Sequence, residues 1–202
     1  MKRMLVSLMV MFMLLLASQS FAQPARQPQI EVFGGIAIPL APDAFKDYFK
    51  MGFSPHIQYV MFPSARLGVS FGVAYEKFTF DGDKLKENMD LGGYEIDVTG
   101  SASNVELGVG LRPYLTAPEV STQIFLFGMA TYNLLKTEWK VSGYGNTEEG
   151  SVKNNKPGAA LGAGLEIPAS ESMNLILQGI FRFIFTEDET TSFVGITAGL
   201  VF

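Results

Sequence analysis

His56 is the only histidine in the chain, and Ser54 lies two residues before it. In an extended strand that spacing puts both side chains on one face, where an imidazole beside a hydroxyl is the start of a hydrolytic dyad. A working site also needs an acid to orient the imidazole and an oxyanion hole. Nothing in the sequence places either, so a lumenal or solvated histidine is the favoured reading and no catalytic residue is assigned. One histidine and no cysteine argue against a transition-metal site. The pairs Gly108/Gly110 and Gly162/Gly164 are not nucleotide loops, because no helix pattern follows them. No cofactor is implied.

A second constellation is ionic. Glu31, Glu76, Glu106 and Glu166, with Arg112 and Arg182, fall on one parity of their predicted strands. If that parity faces a narrow low-dielectric interior, isolated charges are costly there, so these six should pair and hydrogen-bond. One reading is a polar gate or solute path. The favoured one is a structural network that plugs the lumen.

The elements that must carry these residues are strands. Val194, Ile196, Ala198, Leu200 and Phe202 are apolar at every second position, against Phe193, Gly195, Thr197, Gly199 and Val201. Leu67, Val69, Phe71, Val73 and Tyr75 oppose Gly68, Ser70, Gly72, Ala74 and Glu76. Leu161, Ala163, Leu165 and Ile167 oppose Gly162, Gly164 and Glu166. A period of two defines two faces of a strand. A soluble barrel or sandwich would bury the large apolar face and turn a continuous polar face to water. Here the second face is mostly small residues with a few charges, as suits the cramped inside of an eight-stranded barrel. The apolar face carries no charge through these stretches, as lipid demands, since a mid-membrane charge costs about 2–4 kcal/mol. A lipocalin-like soluble barrel is the rival.

Short proline-bearing turns, at Pro63–Arg66, Pro113–Glu119 and Pro168–Glu171, alternate with longer polar stretches at 39–50, 81–93, 142–157 and 186–191. Seven connections imply eight strands, over 29–38, 52–62, 66–80, 94–112, 121–141, 157–167, 172–186 and 191–202, in up-and-down order. Aromatic girdles are expected from Tyr59, Phe62, Tyr114 and Phe202 on the short-turn side. Tyr75, Phe78, Phe80, Tyr132 and Trp139 would form the other girdle on the loop side.

The N-terminus reads as an export signal over 1–22: basic Lys2 and Arg3, an apolar stretch from Met4 to Leu16, and a small-x-small site at Ser20-Phe21-Ala22. The apolar stretch falls short of the ~20 residues that span a bilayer. The barrel domain is then 23–202. Loss of Lys2 and Arg3 takes the formal net charge from −5 to −7, which leaves no electrostatic footprint for nucleic acid. Mean hydropathy is +0.21, high for a chain with no other apolar run of helix-spanning length. Without cysteine after the signal, lipid attachment is not expected.

These features resemble the small eight-stranded outer-membrane β-barrels of the OmpA/OmpX type. The likeness runs from Ile30 to Phe202. It includes the terminal Thr197-Ala198-Gly199-Leu200-Val201-Phe202 and the segment Tyr48-Phe49-Lys50-Met51-Gly52 before the second strand. The resemblance implies an all-β, antiparallel transmembrane barrel in the cell outer membrane, with both termini periplasmic. It also implies a C-terminal strand (Gly199, Leu200, Phe202) read by the barrel-assembly machinery. Outer-membrane lipids and lipopolysaccharide are the expected surroundings. An appended peptidoglycan-binding domain, and so a tethering role, is not expected. The acidic tips Asp81-Gly82-Asp83 and Glu187-Asp188-Glu189 lack the spacing of a calcium loop and read as solvated. Bridging to lipopolysaccharide phosphates is the minor alternative. The expected role is non-enzymatic, in envelope structure or surface interaction. A narrow porin-like conduit for small or apolar solutes is the rival, and a lipid-modifying enzyme using His56 is a distant third.

Overall fold

The computed structural model describes residues 26–88, 96–170, 172–187 and 189–202; the predicted signal segment lies outside the described residues. Among the described residues, nine strands form one antiparallel sheet that closes on itself. They are β1 (Gln29–Ala41), β2 (Gly52–Phe53), β3 (His56–Ser64), β4 (Leu67–Thr79) and β5 (Ile96–Pro113), then β6 (Gln123–Gly143), β7 (Asn146–Pro168), β8 (Asn174–Phe185) and β9 (Thr190–Val201). Two short helices, α1 (Asp43–Tyr48) and α2 (Gly82–Asn88), occupy loop-side connections.

The expected single strand over 52–62 is interrupted. β2 and β3 both lie between β1 and β4, with Ser54-Pro55 between them, where proline has no N–H to give the ladder. The ladder continues across the break: Ser54 N donates to Gly35 O at 2.9 Å, and Pro55 O accepts from Tyr75 N at 3.0 Å. The two pieces count as one barrel strand, so the ring has eight strands. It closes where β1 pairs β9 from Glu31↔Val201 through Ala41↔Ser192. Beyond that pairing, Ile30 and Phe202 exchange backbone hydrogen bonds of 3.0 and 2.9 Å. Closure leaves no open edge within the band that must lie in lipid.

The parity of the faces follows the sequence. In β8, Leu175, Leu177 and Phe181 point outward while Ile176, Gln178, Ile180, Arg182 and Ile184 are buried. In β9, Ile196 is 58% exposed and Thr197 only 2%. Small inward residues make room for large ones. A Cβ on Gly68 would lie 2.8 Å from Val60 Cγ1 and 3.4 Å from Arg112 Cβ, and one on Gly195 would lie 3.0 Å from Arg182 Nη1.

Three expectations are corrected. Residues 142–157 are not a loop: β6 and β7 continue in register to Gly143↔Asn146 and turn through Tyr144 (φ 49°) and Gly145 (φ 79°). Positive φ at both central residues gives the turn whose twist matches paired strands. Polar residues do not end a strand that has left the membrane. The connection after β8 is also short, since β9 begins at Thr190.

The third correction concerns the girdles. Phe62, Tyr114 and Phe78 are buried inside the barrel at 5%, 4% and 3% exposure, and Phe80 packs on Tyr48 and Phe49. Trp139 shares the parity of lumen-facing Asn133 and stands above the mouth, against Gly150. Lumen-parity aromatics fill volume, so their alternation decides their fate before any interfacial preference can act. Tyr59, Tyr75, Tyr132 and Phe202 are outward and exposed.

Candidate functional site: the closed lumen and its loop-side mouth

The lumen is layered along the barrel axis. At the turn-side end Glu166 gathers four donors: Arg26 Nη2 at 3.0 Å, Asn174 Nδ2 at 2.7 Å, Gln29 Nε2 at 3.4 Å and Tyr114 Oη at 3.3 Å. The Arg26 guanidinium lies 4.8 Å from the Phe62 ring centre and 4.5 Å from that of Tyr114, so charge pairing and cation–π contact close this end together. Just above, Arg112 meets Glu31 through two parallel contacts, Nη1 to Oε1 and Nη2 to Oε2, the second at 2.7 Å. Arg112 also donates to Gln58 Oε1 at 2.7 Å and sits 4.5 Å from the Phe125 ring centre. A planar guanidinium suits this fork, which a lysine would not reproduce.

The middle layer holds the second ionic group. Arg182 Nε lies 3.2 Å from Glu106 and 3.4 Å from Glu76. Asn104 Nδ2 donates to Glu76 Oε2 at 3.0 Å and to Asn133 Oδ1 at 2.9 Å. His56 is also here, stacked on Phe33 with ring centres 4.0 Å apart and accepting from Gln178 Nε2 at 2.7 Å. The imidazole is thus engaged by an amide and a phenyl ring, and no described hydrogen bond joins it to a carboxylate. The cavity between His56, Gln58, Glu106 and Arg182 has a volume of about 10 Å³, no more than one water needs.

Above this the lumen becomes apolar. Phe78, Phe193, Ile184 and Ala37 form a small core on which Phe45, Phe49, Ala102 and Leu135 pack. Helix α1 delivers Phe45 onto Phe78 (4.9 Å between ring centres), and Phe78 in turn meets Phe193 at 5.4 Å. A further pocket of about 380 Å³ lies in this mouth.

The structure therefore places all six charged residues singled out from sequence inside the barrel, in three separate groups: Glu31 with Arg112, Glu76 and Glu106 with Arg182, and Glu166 apart from both arginines. The cation at Glu166 is Arg26, which sequence reasoning missed, although four inward glutamates against two arginines left a deficit to be met. Gln58, Asn104 and Asn133 were also missed; each sits on the inward parity of its strand, and that was the available signal. Of the terminal residues, Gly199 lies under the Phe33 ring, 2.7 Å from a Cβ position to Phe33 Cδ1. Leu200 pairs with Val32 and Leu175, and Phe202 projects outward. Among the described residues no group of three His, Asp or Glu gathers as a metal site.

No family model matches the chain, and no curated protein sequence does. The fold is similar to solved structures of small outer-membrane barrels. Neisserial surface protein A has 12% identity and a TM-score of 0.52, over 89% of this chain and 98% of that one. Ail, the attachment invasion locus protein of Yersinia pestis, solved with the heparin analogue sucrose octasulfate, has 18% identity and a TM-score of 0.53, over 88% of this chain and 100% of that one. A major outer membrane protein of Thermus thermophilus has 12% identity and a TM-score of 0.53, over 88% and 99%. Fold and sequence together define a transmembrane barrel of this architecture.

Proposed function

We propose that this chain is an exported outer-membrane barrel that does not conduct solutes and works outward, through contacts made on its loop side. The observation that carries this reading is a closed lumen beneath an extension that leaves the membrane. Buried ion pairs cross the barrel and leave a single-water cavity, while β5, β6 and β7 run on beyond the apolar band as a three-stranded ribbon. From Lys136 to Gly150 the strict alternation of burial is lost and most residues are exposed on both faces. Between Asn146 and Pro157, β7 pairs only with β6, because pairing to β8 starts at Gly158. In this reading the outward face meets lipid and lipopolysaccharide, the residues Gly199, Leu200 and Phe202 are presented to the assembly machinery, and there is no enzymatic role.

The ribbon carries three lysines and three glutamates between Lys136 and Lys153. It therefore lacks the positive excess that a polyanion such as the one bound in the Ail structure requires, and its exposed Trp139, Tyr144 and Val152 suit a protein surface better.

The test is a planar-bilayer recording with fractionation and a detergent gel. The expected result is outer-membrane recovery, heat-modifiable mobility and conductance at background. A large, stable conductance would replace this reading with the conduit. Replacing residues 138–151 by Asn-Gly joins the cross-strand pair Thr137 and Val152 in a tight turn. This variant should keep its heat-modifiable mobility and lose cell-surface adhesion.

A further inference from the structure

We propose that the outer edge of the β7 extension pairs antiparallel with the same edge of a second copy of this chain, joining two barrels in facing membranes through their ribbons. This deepens the outward reading above and rests on it, since it names the partner of the same ribbon. Between Asn146 and Pro157 one side of β7 pairs with β6, and no described strand pairs with the other. Such an edge presents a row of free N–H and C=O groups. The hairpin decides which residues present them. Gly143 and Asn146 flank a two-residue turn and form a hydrogen-bonded pair, and bonding then alternates along the ladder. Thr147, Glu149, Ser151, Lys153 and Asn155 therefore turn their backbone groups to the open side. Pro157 falls in the same set, where its missing N–H bounds the edge.

The edge carries its own complement. Glu149 and Lys153 are exposed, and neither forms an ion pair among the described residues. Lys153 faces Lys136 directly across the ladder, a like-charge pairing that destabilises, and Glu138 is already held by Lys136 Nζ at 2.6 Å. When Ser151 lies opposite the partner's Ser151, Glu149 falls opposite the partner's Lys153 and Lys153 opposite the partner's Glu149. Both pairs belong to the open-side set, and each brings a carboxylate to the crowded lysine. Registers that set Glu149 against Glu149, or Lys153 against Lys153, are repelled. Lys156 is engaged by Glu187 at 2.7 Å, so it does not compete for a second register.

The other face of the ribbon agrees. The Trp139 indole lies over Gly150, its Cζ2 2.5 Å from where a Cβ would stand. In the same register the partner's Val152 lies across from Gly150. Val152, 54% exposed in the single copy, is thereby brought beside the partner's indole, and the two-fold repeats the contact. Aromatic and β-branched residues on neighbouring strands stabilise a sheet. A foreign strand would need both charges and the valine at these spacings, whereas a second copy has them by symmetry. Antiparallel pairing puts the two barrels at opposite ends of the joined ribbons, hence in opposed membranes.

The experiment follows, by light scattering at low salt, the clustering of phosphatidylcholine liposomes that carry the full barrel. Wild-type liposomes should cluster. Glu149→Lys and Lys153→Glu each set like charges across the joint, so liposomes carrying either one alone should cluster about tenfold less. A mixture of the two populations restores both ion pairs and should cluster as wild type does. Both changes are on exposed side chains, and heat-modifiable mobility checks the fold. The chain has no cysteine, so Ser151→Cys gives only one disulfide. Hydrogen-bonded pairs have Cα atoms ~5.5 Å apart, within the ~4.4–6.8 Å of a disulfide, and oxidation by copper–phenanthroline in air should trap a dimer. Single variants that cluster like wild type, no gain on mixing them, or no trapped dimer would overturn the proposal. Dispersed wild-type liposomes, with conductance at background and cell-surface adhesion that still needs residues 138–151, would sink the self-pairing and leave the outward reading standing. Adhesion that survives removal of those residues would sink the outward reading itself.

Discussion

The two ends of this lumen are built on opposite principles. The turn-side end is built of paired charges: Glu166 accepts from four donors, Arg112 is matched by Glu31 and Gln58, and rings of Phe62, Tyr114 and Phe125 lie against the guanidinium groups. The loop-side end is an aromatic stack beside a pocket. Charges in a narrow lumen are tolerated only where every one is matched, so the paired end is fixed and closed. The apolar end needs no such matching and can keep space. Closure and open space thereby fall at different ends of one barrel.

The largest effect should come from breaking the ion-paired end. Arg112→Ala leaves the Glu31 carboxylate buried and unpaired, and should lower unfolding stability by about 3–5 kcal/mol, read from urea titration in liposomes. Arg112→Met combined with Glu31→Leu should recover most of that loss, since exchanging a buried pair for apolar groups is often neutral. A loss below about 1 kcal/mol in the single variant would show that this pair does not hold the closed end.

A smaller effect is expected from Arg26→Ala. Glu166 keeps its amide and phenol donors, so the cost should be about 1–2 kcal/mol by the same titration. If it equals that of Arg112→Ala, Arg26 is the main seal and the axial division must be redrawn.

Phe202→Asp should act on assembly more than on stability. A charge near the interface costs about 0–1 kcal/mol, and the Ile30–Phe202 hydrogen bonds are made by backbone. Folded, heat-modifiable yield in cells should fall well below that of Thr197→Ser, while purified protein refolds with a near-wild-type midpoint. A lowered midpoint with normal yield would reverse that reading.

The finest test uses Trp139, the only tryptophan. Standing above the mouth, it should be quenched by aqueous acrylamide and spared by lipids brominated in their acyl chains. Gly150→Val, whose Cβ would lie 2.5 Å from Trp139 Cζ2, should shift its emission while leaving the barrel's unfolding midpoint in place. Quenching by brominated lipid would return Trp139 to the girdle and shorten the ribbon.

Much of this was legible in the chain. Alternation is a local property, so the parity of β1, β4, β5, β7 and β8, and with it the inward position of all six charged residues, could be read without a structure. The count of eight followed from three proline-bearing turns and four longer polar stretches, although most of 142–157 is strand and the connection after Phe185 is short. Other features depend on which strands become neighbours. Glu166 finds Arg26 rather than Arg112 or Arg182, because the residues before β1 fold under the turn-side mouth, 140 positions away in sequence. The polar stretch 142–157 forms strands because its pairing partner and turn geometry outweigh its composition once no lipid is present. Phe62, Phe78 and Tyr114 fill the lumen because parity, not aromatic character, decides which face a side chain takes. The side-chain oxygen of Asn104 is left without a partner because Glu76 and Asn133 converge on its nitrogen from β4 and β6. Periodicity is written along the chain; pairing across it is fixed only when the ring closes.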